Sequence, residues 1–105
     1  MKAILTGLVC AALLLGAAES RERRLRLAFD DVTAWATALL NIVAGIEQQL
    51  AEKGQKLHPD IRSARDEVET AMDEAQEALD NRDWDSLSRR IDRARACITK
   101  LRRKL

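Results

Sequence analysis

The chain has no tyrosine, one phenylalanine, two tryptophans, one proline, four glycines, two cysteines and one histidine in 105 residues. Each shortage removes a class of function. One histidine, His58, cannot make a His-x-x-x-His metal helix. Cys10 and Cys97 lie too far apart in sequence for a Cys-x-x-Cys redox site or a haem-attachment Cys-x-x-Cys-His. No glycine-rich phosphate loop and no Gly-x-Ser-x-Gly elbow occurs. The three aromatic residues Phe29, Trp35 and Trp84 do not interleave with the basic ones, so there is no stacking platform for nucleic acid. The sequence therefore predicts neither catalysis nor a bound cofactor, metal or small-molecule substrate.

What the chain does have begins with an apolar leader. Lys2 supplies a positive start, Ile4 to Leu15 is nearly all apolar, and Gly16 and Ala18 are the small residues a signal peptidase requires. A helix from Ile4 to Ala18 would reach ~22 Å at ~1.5 Å per residue, short of the ~30 Å hydrocarbon core of a bilayer. The expected organisation is a cleaved signal peptide over residues 1–18 and one domain over 19–105, exported to a periplasm or secreted. If the leader is kept, the protein is membrane-anchored instead. Val9 stands where a lipoprotein signal carries a small residue, which argues against lipidation of Cys10. In an oxidising compartment paired cysteines become disulfides, but cleavage leaves Cys97 alone.

Alanine, leucine and charged residues dominate the rest, which predicts an all-α fold. From Leu25 the apolar positions step by four and three: Leu25, Phe29, Val32, Ala36, Leu39, Val43, Ile46, Leu50. This seam predicts one long helix over about 21–53. Beside it runs a row of small residues, Ala34, Ala38, Asn41 and Gly45, with Trp35, Leu40 and Ile42 expected to widen the buried face. Gly54 suits the left-handed end of that helix, and Pro59 the first turn of the next. A second helix over 59–80 carries a thin seam of Ile61, Ala64, Val68, Ala71 and Ala75. Asn81 is the expected left-handed cap and Asp83 the N-cap of a third helix over 83–104, with Leu87, Ile91, Ala94, Ile98 and Leu101 on its seam. Short connections make neighbouring helices antiparallel. The predicted architecture is an antiparallel three-helix up-down-up bundle with a long first helix, preceded by the signal helix. By length, the first helix should overhang the other two near Leu25, Leu27 and Phe29.

Net charge is +1, so global charge selects no partner. The charges are segregated, however. Asp60 to Asp85 holds ten acids and three arginines, whereas Arg89 to Leu105 holds eight basic residues and one acid. Pairing across the seam between the second and third helices accounts for most of this. The last turn remains a candidate basic patch, Lys100, Arg102, Arg103 and Lys104, for an anionic membrane surface. The acids Asp66, Glu67, Glu69, Asp73, Glu74 and Glu77 lack the wrapping loop of a calcium site and read as a solvated face.

Cys97 has three readings: a small apolar group packed beside the core, an intermolecular disulfide across a dimer, or a thiol activated by the nearby cations. Leu25, Phe29, Ala34, Ala38 and Gly45 form the candidate interface. The functional expectation is a small exported helical-bundle protein that acts by interaction or assembly, self-associating or bound to another envelope protein. The alternatives are a membrane-tethered accessory subunit or a periplasmic cation- or ligand-binding protein.

Overall fold

The computed structural model describes the backbone of residues 2–105 and the side chains of residues 20–105. The chain forms three helices, α1 (Lys2–Glu52), α2 (Pro59–Asp80) and α3 (Trp84–Lys104), and no strand occurs among the described residues. The signal-peptide reading of residues 1–18 rests on side chains outside the described set. The helix that carries Leu25 onward does not begin at Arg21; α1 has no boundary there, and no proline or glycine between Ala17 and Leu25 would impose one.

Both connections are short and end their helices in the same way. At the end of α1 the N–H of Gly54 donates to Ala51 and that of Gln55 to Leu50, with Gly54 at φ 70°. This is the paired capping pattern that uses up two terminal carbonyls, with glycine at the left-handed position. His58 then caps α2, its Nδ1 accepting the Asp60 N–H at 3.1 Å, and Pro59 occupies the first turn. The second connection repeats the pattern one residue later than the sequence suggested. Asn81 keeps a right-handed backbone, φ −81°, and Arg82 takes the left-handed position, φ 53°. The Asp83 N–H donates to Ala78 and the Arg82 N–H to Leu79. Asp83 must then cap α3, and its carboxylate accepts the Ser86 N–H at 3.2 Å. The demand for Asp83 at that N-cap leaves Arg82, rather than Asn81, in the left-handed position.

The core is built from one face of each helix. Val32, Ala36, Leu39 and Val43 of α1 meet Ala64, Val68 and Ala71 of α2 and Ala94, Ile98 and Leu101 of α3, with Leu57 closing the end beside the first connection. A second cluster joins Phe29 to Ala75, Ala78, Leu87 and Ile91. The buried side of α2 is four alanines and one valine, so α3 can approach closely and supplies the bulk that α2 lacks. Each buried Leu, Ile or Val contributes about 1.5–3 kcal/mol.

The pairing of α2 with α3 follows from the charges. Glu74 meets Arg90 at 2.7 Å and Glu67 meets Lys100 at 3.1 Å, so residue numbers rise along one helix as they fall along the other. The expected pairing of an acidic helix with a basic one is thus present in these two contacts and in Arg93 with Glu74. Such half-exposed pairs are worth ~0–1 kcal/mol each and act mainly on orientation. Arg65 reaches Glu47 at 2.7 Å, tying the start of α2 to the end of α1.

The expected overhang of α1 does not occur at Leu25 and Phe29. Phe29 is 7% exposed, and Leu25 packs beside it with Trp84. The connection after α2 and the first turn of α3 extend the pair beyond Asp80: Asp85 binds Arg21, and the Arg26 guanidinium sits 5.5 Å from the centre of the Trp84 ring. Of the three residues expected to be uncovered, only Leu27 is, at 62% exposure.

Candidate interaction surfaces

The seam of α1 claims one side of the helix, and at 100° per residue the positions 27, 31, 34, 38, 41 and 45 fall on the other. All six are exposed: Leu27, Asp31, Ala34, Ala38, Asn41 and Gly45. A methyl group added at Gly45 would meet nothing within 4 Å. Trp35 and Ile42 flank this row at 37% and 54% exposure. Both are expected from the sequence on a widened buried face. They lie instead at its outer margin, because α2 and α3 together cover only the side centred on Ala36 and Val43. Of the candidate interface residues, the structure groups Ala34, Ala38 and Gly45 on one open face, buries Phe29 in the core and packs the half-buried Leu25 against it. Leu27, Trp35 and Ile42 belong to the open face. The seam that α2 and α3 cover was legible in the sequence, but how far the covered side extends around the helix was not.

A second surface lies at the end of the molecule that holds the first connection. Lys104 lines an open cavity of about 350 Å³ with His58, Asp60 and Ile61. Lys56 and Arg62 line a neighbouring one of about 250 Å³ with Glu47, Gln55 and Leu57. Arg102, Arg103 and Lys104 are exposed as expected, whereas Lys100 is held by both carboxylate oxygens of Glu67 at 3.1 and 3.2 Å. The basic end is therefore made of Arg102, Arg103 and Lys104 together with the α1–α2 side, Lys56 and Arg62, and not of Lys100. The carboxyl of Asp85, at the opposite end, is held below the usual carboxylate range by the hydrogen bond and charge of Arg21.

Cys97 is half-buried and packs against the main core cluster beside Ile98. His58 is engaged as the cap of α2. Among the described residues no three or more His, Cys, Asp or Glu side chains converge as a metal site would require. No protein-family model, no curated protein and no solved structure matches the chain. The reading of function therefore rests on these surfaces.

Proposed function

We propose that this chain is a small exported protein without catalytic activity, built as an up-down-up three-helix bundle, that works by binding and first of all by self-association. The observation that carries the reading is the apolar row on the outer face of α1. Leu27, Trp35 and Ile42 stand exposed beside alanines and a glycine that let a second backbone come close. Large apolar side chains grouped on one exposed face mark an interaction site, and the thin alanine core of α2 leaves the single copy modest in stability. Light scattering on the purified protein, with and without reductant, tests this. A dimer in both conditions supports a non-covalent interface. A dimer only when oxidised makes Cys97 the staple, and a monomer in both removes self-association.

A second reading keeps the N-terminal apolar segment as an anchor for a membrane-tethered subunit. The helix that carries this segment runs on without a break to Glu52, and its later part, Ser20–Glu52, is also long and apolar enough to cross a membrane by length and composition, as core helices of soluble proteins can be. N-terminal sequencing of the protein recovered from cells separates the two readings, since a start at Glu19 removes the anchor. The basic end at Lys56, Arg62 and Arg102–Lys104 suits an anionic membrane surface in either case, and loss of charge-dependent liposome co-sedimentation in a variant lacking these charges is the expected outcome.

A further inference from the structure

We infer that two copies of the chain pair through the outer faces of α1 in antiparallel orientation, about a two-fold axis level with Ala36. The inference rests on the self-association proposed above and specifies its geometry. The open positions 27, 31, 34, 38, 41 and 45 step by four and three, the spacing of a coiled-coil seam, and the spacing is the same read from either end. An antiparallel partner therefore sets Leu27 against Gly45, Asp31 against Asn41 and Ala34 against Ala38, each residue in one copy and its counterpart in the other.

The residue types suit that pairing at each level. The largest seam residue, Leu27, meets the one with no side chain. The only acid, Asp31, meets an amide that can donate to it. Alanine meets alanine at the centre, where the helices come closest. Further out, Arg24 falls opposite Gln48 and Ser20 opposite Glu52, so no charge faces its like along the run. The flanking positions agree. In an antiparallel pair the residues that follow the seam on one side meet their own kind, which brings Trp35 of one copy beside Trp35 of the other, one residue from the axis, and sets Ile42 of each copy near Ala28 of the other. Trp35 and Ile42 are two of the large apolar side chains the single chain leaves exposed. A parallel pair would do the reverse. It would set Asp31 against Asp31 and Arg24 against Arg24, crowd Leu27 on Leu27 and leave a gap at Gly45. Like charges facing across a seam disfavour that arrangement.

The test is disulfide trapping in the full chain with Cys10 and Cys97 replaced by alanine. Two differently tagged copies, one Leu27→Cys and one Gly45→Cys, are expressed together and oxidised. Neither change disturbs the fold, because Leu27 is exposed and the Cβ at Gly45 meets nothing. Residues 27 and 45 lie ~27 Å apart along the helix at ~1.5 Å per residue, far beyond the ~7 Å Cα separation a disulfide tolerates. The antiparallel pair therefore yields the mixed product, position 27 of one copy joined to position 45 of the other, and neither like-with-like product. Like-with-like products in place of the mixed one overturn the orientation. A dimer by mass that gives no cross-link at either position overturns this interface but leaves self-association standing. A reduced protein that is monomeric, whether alone or carried on vesicles of anionic lipid, overturns both.

Discussion

The two sides of α1 between Leu27 and Gly45 share one spacing and meet different fates. The inner side, Phe29, Val32, Ala36, Leu39 and Val43, is sealed by α2 and α3. The outer side, Leu27, Ala34, Trp35, Ala38 and Ile42, is left to solvent in the single chain. Spacing does not distinguish them, since the outer row of positions 27, 31, 34, 38, 41 and 45 steps by four and three as the inner row does. The difference lies in what each offers to an alanine-lined hairpin. The inner row carries branched side chains at close intervals that fill the groove between α2 and α3. The outer row alternates small residues with polar Asp31 and Asn41, which burial against an apolar hairpin would leave without partners at a cost of ~1–3 kcal/mol each. The inner side is shaped for the fold, and the outer side is the one the proposed second copy would cover.

The two sides differ most in how they tolerate a charge. Val43→Asp puts an unpaired carboxylate into a fully buried site and is expected to abolish cooperative unfolding by circular dichroism, because the penalty of several kcal/mol rivals the ~5–15 kcal/mol that holds a domain. A milder version compares deletions. Leu39→Ala is expected to lose ~2–4 kcal/mol in urea denaturation, and Leu27→Ala less than ~0.5 kcal/mol in the dissociated chain. Equal losses would mean that the outer row is folded against something within the chain. The two connections provide the next scale of effect. Gly54→Ala is expected to cost ~1 kcal/mol, since a Cβ is strained at that left-handed position. Arg82→Gly relieves the same strain and is expected to gain ~0.5 kcal/mol or slightly more, reduced by the freedom glycine adds to the unfolded chain. The smallest expected change is Glu74→Gln, which removes the acid shared by Arg90 and Arg93. It should cost under ~1 kcal/mol, and less as salt is raised.

Much of this was legible in the residues. The seams of all three helices, the left-handed Gly54, Pro59 in the first turn of α2, the Asp83 cap and the pairing of an acidic with a basic helix follow from side-chain chemistry within a few positions of each residue. Three features were not legible, each for a physical reason. Trp35 and Ile42 lie at the border of the seam, and only the width of the α2–α3 hairpin decides how far the covered side extends. Phe29 and Leu25 are reached because the second connection and Trp84 extend the hairpin past the end of α2, a length that counting helical residues omits. Lys56 and Arg62 join the basic end only once the first connection is folded beside the last turn of α3, far away in the sequence. In each case the missing term was the placement of one helix against another, which a pattern within a single helix does not contain.

The measurement closest to the central claim is the solution mass of Ile42→Asp beside that of the unaltered protein, in reductant, with helicity and unfolding midpoint recorded on the same samples. The outer face of α1 predicts a dimer for the unaltered protein and a monomer of equal helicity for the variant. The same mass for both would contradict the claim that this face binds the second copy.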